Sequence, residues 1–139
     1  MRTNITIETT INAPLATVWE LYTLPKHIVQ WNAASNDWHT ARAENNLKVG
    51  GMLTYRMEAK DRTAGFDFVG IYSEIIPNQL LAYSIGDGRK VRVNFSEYGR
   101  DTNVAIDFEA ENHNSPEAQK EGWQAILTSF KEYAEEQNL

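Results

Sequence analysis

The chain has 139 residues, a length typical of one domain, and we expect residues 1–139 to fold as a single unit. Its hydrophobic fraction of 42% is enough to build one substantial core. The net charge of −6 argues against binding to nucleic acid or to anionic membranes, because both need clustered Lys and Arg. A chain without cysteine has no disulfides, thiolate metal sites or cysteine nucleophiles.

The N-terminal third of the chain is predicted to form one strand and two short helices. Residues 4–11 alternate apolar and polar side chains with the period of a strand. After Pro14, residues 15–22 place apolar side chains at helical spacing. Pro25 ends this helix and opens a second one that runs through Trp31.

Six further strands are predicted between residues 37 and 108. Each has the alternating pattern of a strand with one buried face, and the segments are 37–43, 53–58, 66–72, 81–85, 91–95 and 104–108. Short turn signals separate them, among them Gly50-Gly51, Pro77-Asn78 and Gly86-Asp87-Gly88. Strands joined by such short turns form an antiparallel meander.

The last predicted element is a long amphipathic helix from Pro116 to about Gln137, with Ser115 as its N-cap. At 1.5 Å per residue it would be about 33 Å long, enough to cross a small domain. A strongly twisted sheet does not leave its apolar face in water, and this helix is the element available to cover it. The side chains of its apolar stripe are Trp123, Ile126, Leu127, Phe130 and Tyr133.

The predicted fold class is therefore α+β, a curved antiparallel sheet of about six to seven strands packed on a long C-terminal helix, with two short helices after the first strand. Several short motifs follow one another along nearly the whole chain. They are Ile11-Asn12-Ala13-Pro14, Val18-Trp19, Trp31, Val49-Gly50-Gly51, Arg56-Met57-Glu58, Gly65-Phe66-Asp67-Phe68 with Gly70 and Tyr72, and Gly122-Trp123.

With these motifs the chain resembles the activator of heat-shock protein 90 ATPase-like branch of the START-like (SRPBCC, polyketide-cyclase-like) superfamily. The resemblance implies the helix-grip fold and a hydrophobic cavity between the sheet and the C-terminal helix. It does not imply one activity, because the superfamily includes lipid carriers, hormone receptors, aromatase/cyclases and proteins of unknown role.

A set of large inward-facing side chains is the predicted ligand-binding site. An apolar pocket with a few converging polar groups is the usual form of a small-molecule site, whereas ordinary core packing is the alternative interpretation. Buried tyrosine hydroxyls need partners, which favours a binding role. The set consists of Tyr55, Met57, Phe66, Phe68, Tyr72, Tyr83, Phe95, Trp123 and Phe130.

The segment between the second helix and the next strand is predicted to border the mouth of the cavity. Trp31 and Trp38 would supply apolar surface there, and His39 a polar contact, with a solvated histidine as the alternative. We expect no metal and no cofactor, because His27, His39 and His113 are scattered along the chain. The carboxylates of Glu58 and Asp67 lie on the outward phase and are expected to be surface groups.

Three functions remain open from the sequence. The first is a binding module for an apolar or aromatic small molecule, with a cavity of several hundred Å³. The second is a co-chaperone-like protein-interaction domain, which predicts a large exposed apolar patch. The third is a cyclase- or hydrolase-like enzyme with His39 as the candidate titratable group.

The sequence also bears on location. The first ten residues lack the apolar segment of a secretion signal, and no stretch approaches the roughly 20 apolar residues of a membrane span. We therefore expect a cytoplasmic protein whose partner is an apolar small molecule or another protein, with no nucleic-acid or membrane partner.

Overall fold

The computed structural model describes residues 3–86 and 88–138. Met1 and Arg2, in the segment considered as a secretion signal, and Asp87, at the centre of the predicted Gly86–Gly88 hairpin, lie outside the described residues, as does Leu139. No helix in the described part of the chain is both long enough and apolar enough to cross a lipid bilayer.

The described residues form seven strands and three helices in the predicted order. The strands are β1 (Asn4–Ile11), β2 (Trp38–Asn45), β3 (Met52–Ala59), β4 (Gly65–Ile76), β5 (Leu80–Ile85), β6 (Arg89–Tyr98) and β7 (Asp101–Glu109). The helices are α1 (Leu15–Thr23), α2 (Pro25–Trp31) and α3 (Pro116–Gln137). The α+β class and the long C-terminal helix are thus confirmed.

All seven strands lie in one antiparallel sheet with the order β1-β7-β6-β5-β4-β3-β2. Strands β2 to β7 form a simple meander. Strand β1 pairs with β7 and forms the edge of the sheet opposite β2. The register places Ile7 opposite Ile106, and Ile106 opposite Val93. The pairing register shifts between Thr40 and Arg42 in β2 and between Tyr72 and Glu74 in β4, as it does at a bulge.

The main core lies between the concave face of the sheet and the three helices. Ser115 is the N-cap of α3, and its Oγ accepts a hydrogen bond from the backbone N–H of Ala118 at 3.1 Å. Farther along, α3 buries Leu127, Phe130 and Ala134 completely or nearly so. Ser129 Oγ fixes the helix against α2 by donating to the carbonyl oxygen of Trp31 at 2.8 Å.

The predicted turn at Gly50-Gly51 connects β2 to β3 and depends on both glycines. Gly50 has a φ of 83°, a conformation that residues with a Cβ rarely adopt. A Cβ at Gly51 would overlap the backbone carbonyl oxygen of Asn46. The turn is held to β4, because the N–H of Gly50 donates to the carbonyl oxygen of Tyr72 at 2.8 Å.

One predicted inward side chain is exposed. Phe66 is 47% exposed, although it has the same strand phase as Phe68. It lies near the start of β4, opposite Met57 of β3, and its ring is 6.0 Å from that of Trp38. Alternation gives the face of the sheet to which a side chain points, but not whether a helix covers that part of the face.

Candidate functional site

An apolar pocket of about 180 Å³ lies between the sheet and the N-terminal half of α3. This volume is smaller than the several hundred Å³ expected from the sequence. Side chains from β3, β4, β5 and β7 form one wall, and side chains from α1, α2 and α3 form the other. The lining consists of Tyr22, Trp31, Asn32, Tyr55, Met57, Phe66, Phe68, Tyr83, Ile106, Trp123, Ile126 and Leu127.

The structure brings together most, but not all, of the residues predicted as ligand-binding. Those that line the pocket are Trp31, Tyr55, Met57, Phe66, Phe68, Tyr83 and Trp123. Whether they bind a ligand stays a prediction. Trp38 and His39 lie instead along an open groove outside the pocket.

Three of the predicted residues contribute to solid core instead of the pocket. Phe130 is fully buried, and its ring lies 5.0 Å from that of Tyr22 and 4.8 Å from that of Trp31. Phe95 packs its ring 5.1 Å from that of Trp19. Tyr72 is 2% exposed and its hydroxyl is already hydrogen bonded. Periodicity places all three on the inner face, but it does not tell which part of that face is filled.

Sequence reasoning missed the contributions of Tyr22, Asn32, Ile106, Ile126 and Leu127 to the pocket. Tyr22 belongs to the apolar face of α1, and its phenolic hydroxyl is the signal that could have identified it. Asn32 follows the last residue of α2 and is 7% exposed. Tertiary information is needed to recognise that an amide at a helix end is buried.

Aromatic stacking fixes the part of the pocket that α3 covers. The indole of Trp123 lies parallel to the ring of Phe108 on β7, with centroids 4.0 Å apart and an interplanar angle of 8°. Phe68 on β4 meets the same indole edge-on at 6.2 Å, and it stacks on Tyr55 at 6.0 Å. These offset and edge-on contacts are favourable geometries for aromatic pairs, so the wall is held in shape.

The sheet side of the pocket is shaped by a close approach at Gly70. A Cβ at this position would lie 2.8 Å from Cδ2 of Tyr83 and 3.2 Å from Cγ of Leu53. The missing side chain therefore lets the Tyr83 ring lie directly against the backbone of β4. The edge of this ring also meets Tyr72, with centroids 5.8 Å apart.

Three tyrosine hydroxyls of the lining have no internal partner. No hydrogen bond joins the hydroxyl of Tyr22, Tyr55 or Tyr83 to another residue in the described part of the chain. Within residues 3–86 and 88–138, the only fully buried side-chain nitrogen or oxygen atom without a partner is Nδ1 of His39. The three hydroxyls therefore retain access to the space of the pocket.

These hydroxyls remain protonated at neutral pH. Burial raises the pKa of Tyr22, Tyr55 and Tyr83 well above the ordinary tyrosine value, and neighbouring tyrosines raise it further. Each hydroxyl is thus a neutral group that can both donate and accept a hydrogen bond.

Tyr72 provides the contrast, because its hydroxyl is used inside the protein. It donates to Oδ1 of Asn45 at 2.6 Å, and Nδ2 of Asn45 donates to the carbonyl oxygen of Thr23 at 2.8 Å. This chain of hydrogen bonds connects β4, the end of β2 and the C-terminus of α1. It is a structural link next to the pocket.

An open groove lies outside the pocket, between α3 and the segment that joins α2 to β2. Its volume is about 1040 Å³, and it carries charged groups such as Lys60, Lys120 and Glu121. Trp31 and Asn32 line both the groove and the pocket, so the two spaces adjoin at these residues. Asn32 is held there, because its Nδ2 donates to Oγ1 of Thr40 at 3.1 Å.

The titratable side chains considered at the sequence level lie outside the pocket. The His39 side chain is 42% exposed, and its Nε2 is 3.9 Å from Oε1 of Glu58. Glu58 and Asp67 are ion-paired with Arg56 on the outer face at 2.9 and 3.7 Å, as expected for surface carboxylates. The guanidinium of Arg56 lowers the pKa of Glu58. Among the described residues, no group of three His, Asp or Glu side chains is arranged to hold a metal ion.

Two solved structures are similar to this chain in both sequence and fold. The AHSA1-like protein from Aeromonas hydrophila is 40% identical, with 97% of this chain and 94% of that chain covered and a TM-score of 0.92. The protein Chr148 from Cytophaga hutchinsonii is 46% identical, with 96% and 93% covered and a TM-score of 0.83. Comparison with curated proteins gives no match.

A third solved structure shares the fold at much lower identity. The protein CV1439 from Chromobacterium violaceum is 18% identical, covers 95% of this chain and 96% of its own, and has a TM-score of 0.84. An architecture of this kind suggests a ligand-binding or co-chaperone-type module. Residues 12–135 match the family described as Activator of Hsp90 ATPase homolog 1-like protein. The chain therefore belongs to this family, within the START-like superfamily.

Proposed function

We propose that this protein is a binding module for a small, predominantly apolar molecule, which occupies the pocket between the sheet and α3. The supporting observation is an apolar pocket whose lining includes three hydroxyls that form no hydrogen bond to another residue in the described part of the chain. Most pockets that bind small molecules combine apolar walls with a few polar groups in the same way.

The proposal is tested by NMR titration of the protein with small aromatic molecules. We expect shifts confined to amides and methyl groups around the pocket, including those of Ile126 and Leu127. A variant that fills the pocket, Ile106→Phe, should abolish these shifts. The matched variant Ile7→Phe makes the same substitution at the neighbouring register position outside the pocket and should keep them.

The opposite outcomes would contradict the proposal. If no aromatic probe shifts the pocket resonances, or if Ile106→Phe binds as well as the wild type, then the pocket is not a binding site. Native mass spectrometry of freshly purified protein tests the natural complex, because a retained ligand would appear as an added mass that Ile106→Phe lacks.

The protein-interaction alternative has weaker support. Met52 and Ile71 are each 49% exposed and face one another across β3 and β4. Nothing in the structure indicates what would cover this pair. An enzyme that used the pocket would depend on tyrosine hydroxyls, since His39 does not line it. These two functions, like the cytoplasmic location, stay predictions.

A further inference from the structure

We infer that the ligand is a neutral molecule about the size of one substituted benzene ring, with a polar group that hydrogen bonds to the hydroxyls of Tyr22, Tyr55 and Tyr83. The inference rests on the proposed function and specifies the size, the charge and the polarity of the ligand. Each of these three properties follows from a different observation.

The size follows from the volume and the walls. An apolar protein cavity of about 150 Å³ takes up benzene, and the volume here is about 180 Å³. The walls are largely flat rings, because Phe68 and Trp123 lie on either side of one corner with an interplanar angle of 72°. A planar ring with one or two small substituents fits such a space.

The charge follows from the lining. No Asp, Glu, Lys, Arg or His side chain lines the pocket within the described part of the chain. An ionised carboxylate or ammonium group would lose its hydration there without gaining an opposite charge, which is strongly unfavourable. Charged groups such as Lys60 and Lys120 lie in the outer groove, beyond Asn32.

The polarity follows from the three hydroxyls without a protein partner. A ligand in the pocket displaces water from them, and a buried hydroxyl without a partner is unfavourable, whereas the Tyr72 hydroxyl has its partner inside the fold. Tyr22, Tyr55 and Tyr83 have no such partner among the described residues. A ligand hydroxyl, carbonyl or amide group would supply it, and an unsubstituted hydrocarbon would not.

The test compares three probes of similar size by NMR titration near neutral pH: toluene, p-cresol and benzoate. We expect toluene and p-cresol to bind in the pocket and benzoate to bind at least tenfold more weakly than p-cresol. The ratio of the toluene Kd to the p-cresol Kd should fall about three- to tenfold in at least one of Tyr22→Phe, Tyr55→Phe and Tyr83→Phe, as expected for one lost neutral hydrogen bond.

A general change in pocket shape would alter the Kd values of both probes, so its effect cancels in their ratio. Tyr98→Phe is the matched control, since Tyr98 is 69% exposed and does not line the pocket. It should leave the ratio unchanged. The three tyrosine variants keep the ring and differ in one atom, so the loss of folding in one still leaves two to report.

Several outcomes would overturn the inference while leaving the proposed function intact. An unchanged ratio in all three variants would exclude the hydrogen bond. Benzoate binding as tightly as p-cresol would exclude the neutral class, and tighter binding of 2-naphthol than of p-cresol would exclude the size limit. Absence of pocket shifts with toluene and p-cresol would instead refute the proposed function itself.

Discussion

The two halves of α3 cover the same sheet in different ways. The C-terminal half, with Phe130 and Ala134, lies over a filled core in which both side chains are fully buried. The N-terminal half, with Trp123 and Ile126, lies over the pocket and is only partly buried. One amphipathic stripe therefore serves both as a core element and as the lid of a pocket.

The two halves of α3 also differ in the polar contacts that hold them to the rest of the fold. In the C-terminal half, Lys131 Nζ donates to the carbonyl oxygen of Thr10 at 2.7 Å, and Tyr133 Oη lies 2.7 Å from Nδ1 of His27. The N-terminal half is held mainly at its first turn, where Gln119 Nε2 donates to the carbonyl oxygen of Glu111 at 3.1 Å. The C-terminal half is thus anchored by polar contacts along its length, whereas beyond its first turn the N-terminal half is held by aromatic packing.

The largest expected effect compares truncations in the two halves. Phe130→Ala should lower the free energy of unfolding by about 3–5 kcal/mol, because it opens a new void in a filled region. Trp123→Ala should lower it by less than half as much, because Trp123 already borders a space. Denaturant titration measures both values, and equal losses would contradict the comparison.

The next prediction compares the same Ile-to-Phe substitution at two residues that are paired between β1 and β7. Ile7→Phe should destabilise the protein by about 1–3 kcal/mol, because Ile7 is 2% exposed in a filled region. Ile106→Phe should change stability by less than about 1 kcal/mol, since the added atoms enter the pocket. Thermal and denaturant unfolding distinguish these results. A larger loss for Ile106→Phe than for Ile7→Phe would mean that the pocket has no room to fill.

A smaller effect is expected from the contact between α3 and α2. Ser129→Ala removes the hydrogen bond to the carbonyl oxygen of Trp31 and should lower the free energy of unfolding by about 1 kcal/mol. Hydrogen exchange should then accelerate over residues 127–134. The exposed neighbour Thr128 is the control, and Thr128→Ala should lower stability by no more than about 0.5 kcal/mol. Equal losses of stability and equal exchange rates in the two variants would contradict the role of Ser129 as an anchor between α3 and α2.

The smallest effect concerns the loop before α3 and depends on pH. The backbone N–H of Asn114, which donates to Oε1 of Glu111, lowers the pKa of the Glu111 carboxyl below its ordinary value. Its stabilising contribution is full above the carboxyl pKa of the unfolded chain and is lost as the pH falls through the lowered folded-state pKa. Thermal unfolding of Glu111→Gln and wild type should therefore differ near neutral pH and converge in acid. A constant difference across this range would contradict the assignment.

Most of the fold could be predicted because each element has a clear period and clear ends. The alternation at Ile5 and Ile7, the proline at the start of α2 and the Ser115-Pro116 signal each act locally. The pocket could not be predicted in the same way. Trp123 and Phe130 are seven residues apart on one stripe, so periodicity gives them the same face, and only tertiary packing distinguishes lid from core.

The pairing of β1 with β7 has a consequence for synthesis of the chain. Thr6 and Asp107, which are hydrogen bonded across this pair, are 101 residues apart in the sequence. During translation, β1 therefore leaves the ribosome long before its partner exists, while each strand from β3 to β7 can pair with the one just made. The meander can form as it emerges, but the first strand must wait unpaired until β7 has been added. Closure of the sheet at this edge is expected to be a late and slow step of folding.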